Sequence, residues 1–228
     1  MSLSNSDVFV VIAAYNEENV LGDVIADVRG TGYQIVVVAD GSADATAAVA
    51  ATAGATVLSH PVNLGQGAAL QTGIEFALLR GAAFIVTFDA DGQHRAAEIG
   101  SLLDALMKYH ADFALGSRFL GTAVNLPRSR RLLLRAATWF TCATTGLKVT
   151  DSHNGLRAMT RRGASSIRLR QNRMAHASEI LHQIAHSGLT YVEVPVTIQY
   201  SNYSLAKGQK LSEFVTVLID LFARGLHR

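Results

Sequence analysis

The chain has one cysteine, three prolines and few aromatic residues, which make up 7% of its 228 residues. A single cysteine, Cys142, excludes an intrachain disulfide and a multi-cysteine zinc site, as is typical of proteins of a reducing cytosol. With few prolines and 49% hydrophobic residues, a disordered or linker-dominated chain is also excluded. The length therefore predicts a compact globular protein with a substantial core.

Targeting signals and long apolar runs are missing as well. Residues 1–7 lack the basic start and apolar centre of a signal peptide. The longest late apolar run, Phe214–Ala223, contains Thr216 and Asp220 and is too short to cross a bilayer. We therefore expect a cytoplasmic protein that is soluble or in peripheral contact with the cytoplasmic face of a membrane.

The net charge of +2 hides two halves of opposite sign. Residues 1–117 contain 13 acidic and 4 basic residues, whereas residues 118–228 contain 16 basic and 5 acidic residues. The pattern favours an anionic partner, such as a phosphate or an acidic lipid surface, although a solvated basic face has the same composition. We expect no nucleic-acid partner, because no recognition motif accompanies the basic half.

The first half alternates short β-branched runs with amphipathic helical stretches. The predicted strands are Val8–Ala13, Ile35–Ala39, Thr56–Leu58, Phe84–Phe88 and Phe113–Gly116, and the predicted helices are Glu18–Val28, Ala43–Ala53, Gly67–Leu79 and Ala96–Tyr109. This alternation predicts an α/β fold with a mostly parallel central sheet and helices on both faces.

The second half is less regular. We predict helices at Arg130–Thr145 and Ala175–His186, a loop at Asp151–Arg157, strands at Tyr191–Val196 and Ile198–Tyr200, a loop at Ser201–Lys210 and an amphipathic helix at Leu211–Arg224. This last helix could pack on the domain, lie on a membrane or join a homodimer.

Polar clusters follow the predicted strands, where ligands of parallel sheets collect. Asp89 and Asp91 come directly after a buried strand, and Gln93 adds a third oxygen donor. Carboxylates in this position suit Mg²⁺ or Mn²⁺, with substrate phosphates completing the coordination. A surface turn is the alternative interpretation. Asp40 could accept hydrogen bonds from a nucleoside or cap the following helix.

Five segments in order resemble family 2 glycosyltransferases of the GT-A fold, especially the dolichyl-phosphate mannosyltransferase and polyprenyl-phosphate glycosyltransferase branch. They are Ala14–Glu18, Asp40–Asp44, Asn63–Gly67, Asp89–His94 and Gly116–Arg118. The resemblance implies a Rossmann-like domain over residues 1–228, with a nucleotide-sugar-binding half at residues 1–117 and an acceptor-binding half at 118–228. It also implies inverting transfer from a UDP- or GDP-linked sugar to an acceptor, expected to be a polyprenyl phosphate.

The resemblance also implies roles for individual residues. Nucleotide-sugar contacts would come from Ala14, Tyr15, Glu17, Asp40, Gly41, Asn63, Gly67, Asp89, Arg131 and Lys207, and the metal ligands would be Asp89, Asp91 and Gln93. Arg118 would face phosphate. The chain departs from the family pattern at Asn154 and Leu156, and at Arg95-Ala96, where many relatives have two prolines.

The acceptor decides whether a general base is needed. A lipid phosphate is already a nucleophile at neutral pH, since its second pKa is about 6. A hydroxyl acceptor of a glycan would need a carboxylate base, for which Glu179 is the first candidate and Asp151 the second. We favour the phosphate. The predicted catalytic residues are thus Asp91, Arg118, Glu179 and Asp151.

The sequence leaves two other functions and one metal site as alternatives. A haloacid-dehalogenase-like phosphatase also carries a DxD motif, but on its first strand. A non-catalytic nucleotide-binding module would bind a nucleoside diphosphate without transfer. A zinc site at His182 and His186 lacks the HExxH glutamate, because Gln183 follows His182.

Overall fold

The computed structural model describes residues 4–170, 175–201, 203 and 204. The strands are β1 (Val8–Ala14), β2 (Gln34–Asp40), β3 (Thr56–His60), β4 (Phe84–Asp89), β5 (Phe113–Val124), β6 (Arg157–Thr160) and β7 (Tyr191–Gln199). The helices are α1 (Leu21–Arg29), α2 (Thr46–Thr52), α3 (Gln66–Leu79), α4 (Ile99–Tyr109), α5 (Arg128–Thr145), α6 (Arg161–Ser166) and α7 (Ala175–Ser187).

The seven strands form one sheet in the order β3-β2-β1-β4-β6-β5-β7. All neighbouring pairs are parallel except those of β6, which runs antiparallel to β4 and β5. The prediction of a mostly parallel sheet is confirmed. The carboxyl ends of β1, β2 and β4 consequently meet at one edge, where we expected the polar clusters.

The central strands bury side chains on both faces, which explains their continuous apolar sequences. On β1, Val8, Val10 and Ile12 join one core with α1 and α4. Phe9 and Val11 point the other way, into a second core with α3, α6 and α7. The helices therefore cover both faces, as predicted.

Several predicted elements need correction. Strand β5 continues to Val124 instead of ending at Gly116, and β7 is one strand where two were expected. Pro195 lies within β7, which is tolerated because β7 is an edge strand. Strand β6 and helix α6 were not predicted, since runs of four and six residues carry too little periodicity.

The predicted helix Leu211–Arg224 and Lys207 lie outside the described residues. Among the residues described, no helix has the length and apolar character needed to cross a membrane.

Candidate active site

The site centres on Asp89, the last residue of β4. Its two carboxylate oxygens lie 2.8 Å from Nε2 of His94 and 3.3 Å from Nε2 of Gln66. Burial alone would raise the pKa of Asp89, but the hydrogen bond and the charge of His94 hold it below its usual value. The side chain remains 31% exposed. Asp89 is therefore ionised, fixed in orientation and open to a ligand on one side.

Asp91 has the opposite electrostatic character. Burial and the nearby charge of Asp89 raise its pKa to about 6. Gln93 donates hydrogen bonds to Asp91 from its side-chain amide and from its backbone N–H. The structure thus brings together all three predicted metal ligands, and burial and Asp89 disfavour the negative charge of Asp91. A divalent cation would relieve this repulsion, so the donor set fits the predicted metal.

The loop Asp151–Arg157 packs against one side of Asp89. Thr87, on β4, donates a 2.7 Å hydrogen bond to the carbonyl of Gly155 and holds the loop against the strand. A Cβ atom on Gly155 would lie 2.2 Å from both carboxylate oxygens of Asp89. Only glycine therefore lets the loop approach this carboxylate so closely.

Gly155→Ala should consequently displace the Asp89 carboxylate or the loop. We expect a destabilisation of about 1–3 kcal/mol, measurable by thermal unfolding, together with the loss of any activity that depends on the Asp89 carboxylate. Gly100→Ala is the matched control, because Gly100 is in α4 and a Cβ there meets no atom within 4 Å. Full activity in the Gly155 variant would contradict the close packing.

Arg118 and Asp151 form a buried ion pair. Nε of Arg118 lies 2.6 Å from Oδ2 of Asp151, and the same guanidinium donates to the hydroxyl of Tyr200 and the carbonyl of His153. Burial would lower the pKa of Arg118, but Asp151 and Tyr200 raise it above its usual value. The predicted contact of Arg118 with phosphate stays a prediction.

A second buried arginine, Arg157, was not among the predicted site residues. Burial lowers its pKa to about 10, against the attraction of Asp89 and Asp151, so it is still cationic at neutral pH. Burial also lowers the pKa of His153 to about 4, which keeps that ring neutral. Arg157 is the first residue of β6, a strand of four residues that leaves too little periodicity in the sequence to be predicted.

Asp40 anchors the loop before α3. Its carboxylate accepts hydrogen bonds from the backbone N–H groups of Leu64 and Gly65, at 2.9 and 2.7 Å, and lies 2.7 Å from Nδ1 of His60. These two N–H groups lie at the start of a helix, where a carboxylate is favourable. The contact of Asp40 with a nucleoside stays a prediction.

Gly41 is fitted against the same loop. Its φ is +66°, and a Cβ there would lie 2.3 Å from the carbonyl carbon of Val62 and from the nitrogen of Asn63. The structure therefore brings Asp40, Gly41 and Asn63 together, and Gly67 lies in the first turn of the adjoining helix α3.

The segment after β1 is tied to the segment after β2. The N–H of Asn16 donates to Ser42, and that of Glu17 donates to Thr46. The hydroxyl of Tyr203 donates a 2.8 Å hydrogen bond to Glu17, which brings the chain after β7 to this segment. Ala14 ends β1 and is buried, whereas Tyr15 is 45% exposed and able to contact a ligand.

The other predicted residues lie elsewhere. The carboxylate of Glu179, on α7, accepts two 3.0 Å hydrogen bonds from the backbone N–H of Arg170. Arg131 is exposed on α5.

His182 and His186 stack with ring centroids 5.9 Å apart. Within the described ranges, no group of three or more His, Cys, Asp or Glu side chains could hold a metal on its own.

Comparison with known sequences assigns the chain to a family. Residues 9–176 match the model described as glycosyl transferase family 2. An uncharacterised protein of Methanocaldococcus jannaschii is 35% identical over 98% of this chain and 94% of that protein. The UDP-N-acetylglucosamine–dolichyl-phosphate N-acetylglucosaminyltransferase of Methanococcus voltae is 30% identical, over 88% of this chain and 89% of that enzyme's length. Other relatives are named as sugar transferases of polyprenol, undecaprenyl or dolichyl phosphate.

Solved structures agree on the fold. Glucosyl-3-phosphoglycerate synthase of Mycobacterium tuberculosis, in complex with Mn²⁺, UDP-glucose and phosphoglyceric acid, superimposes with a TM-score of 0.71. The match covers 96% of this chain and 80% of that chain at 19% identity. The likeness confirms the predicted GT-A fold.

Proposed function

The chain belongs to glycosyltransferase family 2, and from this membership we propose that it transfers a sugar from a nucleotide-diphosphate sugar to a polyprenyl phosphate, with inversion at the anomeric carbon. The observation that carries the proposal is the carboxylate pair at the sheet edge, in which burial and Asp89 raise the pKa of Asp91 to about 6. The acceptor is inferred from the relatives named for polyprenol, undecaprenyl and dolichyl phosphates.

Asp91 and Asp89 would hold Mg²⁺ or Mn²⁺ together with oxygens of the donor diphosphate, and Gln93 orients Asp91. When bound, the cation supplies a Lewis acid that neutralises charge on the departing nucleoside diphosphate. Arg157 adds a fixed positive charge near Asp89. The close approach of Gly155 covers one side of the Asp89 carboxylate.

A phosphate acceptor fits the surroundings of both predicted bases. Asp151 is buried and accepts hydrogen bonds from Arg118 and from the backbone N–H of His153. Glu179 accepts from the backbone of Arg170. A phosphate monoester needs neither carboxylate, because it is ionised at neutral pH. In this proposal Asp151 orients Arg118 and the loop, and Glu179 fixes the chain before α7.

A thermal-shift panel with UDP, GDP, UDP-sugars and GDP-sugars, each with and without Mn²⁺, tests the donor. A ligand at a hundred times its dissociation constant stabilises the folded state by about 2.7 kcal/mol. For a chain of this size we expect the midpoint of unfolding to rise by about 5–10 °C. Nucleoside monophosphates are the control, because they lack the diphosphate.

Transfer of labelled sugar to a polyprenyl phosphate then tests the reaction. Stabilisation by a nucleotide sugar without any transfer, across phosphate and hydroxyl acceptors, would favour a non-catalytic nucleotide-binding module. Release of phosphate from simple phosphomonoesters without a sugar donor would favour the phosphatase.

A further inference from the structure

His94 is buried beside the candidate site and uses one of its two ring nitrogens. Nε2 lies 2.8 Å from Oδ2 of Asp89, and the His94 side chain is 2% exposed. Nδ1 is also buried, and it has no hydrogen-bond partner among the residues that the structure describes. Because an ionised carboxylate only accepts hydrogen bonds, Nε2 must carry the hydrogen of this contact.

Packing alone does not explain a histidine at this position. The ring meets that of Phe88 edge-on, with centroids 5.4 Å apart and planes at 63°. A buried nitrogen without a partner costs free energy, so packing would favour an apolar ring here. In the described part of the chain, the hydrogen bond to Asp89 is the contact of His94 that an apolar ring could not replace.

The backbone is anchored on both sides of His94. The carbonyl of Gln93 accepts a 3.0 Å hydrogen bond from the N–H of Gln199, on β7. The N–H of Ala96 donates a 2.8 Å hydrogen bond to the carboxylate of Asp27, on α1. His94 is thus held between two fixed points, and a side chain held in this way can fix the orientation of another.

We propose that His94 is a positioning residue of the metal site, whose Nε2–H holds the Asp89 carboxylate in the orientation that binds a divalent cation. The loss of a hydrogen-bond partner of a ligating side chain typically lowers metal affinity by about 10–100-fold. The inference rests on the proposed function for the cation alone, since the hydrogen bond itself is present without it.

His94→Phe separates positioning from packing. The variant keeps a ring but loses the donor, so Mn²⁺ affinity should fall by about 10–100-fold, measured by electron paramagnetic resonance with Mn²⁺ alone and with UDP or GDP. The midpoint of unfolding without ligand should change by less than about 4 °C, because the unpartnered Nδ1 disappears together with the hydrogen bond to Asp89.

Two amide variants test which nitrogen matters. His94→Gln places an N–H near the position of Nε2 and should keep most of the Mn²⁺ affinity. His94→Asn has a shorter side chain, whose amide corresponds in position to Nδ1, and should lose affinity as the phenylalanine variant does. His186→Phe is the matched control at an exposed histidine of α7, and should alter the Mn²⁺ affinity by less than about twofold.

Nitrogen-15 NMR of the histidine rings tests the contact in the protein without metal. The signal of His94 is identified by its loss in His94→Phe or His94→Gln, and it should show a hydrogen on Nε2. A ring with its hydrogen on Nδ1 and none on Nε2 could not donate to Asp89 and would overturn the inference.

Three results with Mn²⁺ would also overturn the inference: no binding by the unaltered protein, unaltered affinity in His94→Phe, or equal affinities in His94→Gln and His94→Asn. If His94→Phe does not fold, the two amide variants and the NMR spectrum decide. Absence of sugar transfer by the unaltered protein, with Mn²⁺ bound and the variants behaving as expected, would reject the proposed function and keep the positioning role.

Discussion

Asp91→Asn should abolish metal-dependent sugar transfer, lowering kcat/KM by at least about a thousandfold, while the protein stays folded. The carboxamide keeps the size of the side chain and an acceptor oxygen for Gln93 but removes the charge that would bind a cation. Burial and Asp89 raise the pKa of Asp91 to about 6, so its ionised form is disfavoured in the folded state. Removing this charge should leave the midpoint of unfolding without ligand unchanged or raise it.

Activity should fall while the midpoint of unfolding stays unchanged or rises, so the experiment separates the loss of the carboxylate charge from unfolding of the protein. Stabilisation by Mn²⁺ with a nucleoside diphosphate should disappear in the variant, as measured by the same thermal-shift assay. Asp23→Asn is the matched control, because Asp23 is exposed in the first turn of α1, and it should keep both activity and stabilisation by ligand. Turnover at the normal rate in a folded Asp91→Asn protein would reject a role for this carboxylate.

The place of Asp89 and Asp91 was predictable because a buried apolar run before two aspartates satisfies a general rule of parallel sheets. The rule places residues at an edge and does not say what surrounds them. Neither Gln66 nor Gly155 could be assigned to Asp89, since those contacts join positions 23 and 66 residues away. Close packing at Gly155 also depends on β6, which is too short to leave a periodic signal.

Asp40 shows how an interpretation from local sequence leaves the contact of a side chain undetermined. The sequence allowed a nucleoside contact or a cap on the next helix, α2. The structure instead places the Asp40 carboxylate against the N–H groups of Leu64 and Gly65, before α3. The spacing of residues along the chain does not predict this contact, because the pairing of β3 with β2 is what brings the loop to Asp40.

The arginines of the second half differ in burial. Their number predicts a basic surface that faces either an anionic partner or solvent. The structure divides them between buried positions, such as Arg118 and Arg157, and exposed ones on α5. Charge counts cannot make this division, since it follows from which side of each strand or helix faces the core.

Asp151→Ala should be the most destabilising of these substitutions, at about 3–5 kcal/mol, because it leaves the guanidinium of Arg118 buried without its carboxylate. Nε of Arg118 lies 2.6 Å from Asp151, and both side chains are at most 6% exposed. The same carboxylate accepts the backbone N–H of Arg118 and that of His153. Denaturant unfolding measures the change, and the loop beneath Asp89 should become accessible to hydrogen exchange.

Glu75→Ala is the matched control for Asp151→Ala. Glu75 and Arg168 also approach to 2.6 Å, but their side chains are 48% and 66% exposed, so this pair should contribute little measurable stability. Replacing Arg118 and Asp151 together with alanine should cost less than the sum of the two single changes, because neither charge is then left alone. Equal, small losses at Asp151 and Glu75 would mean that water reaches the Arg118 guanidinium, and would contradict a buried ion pair at this position.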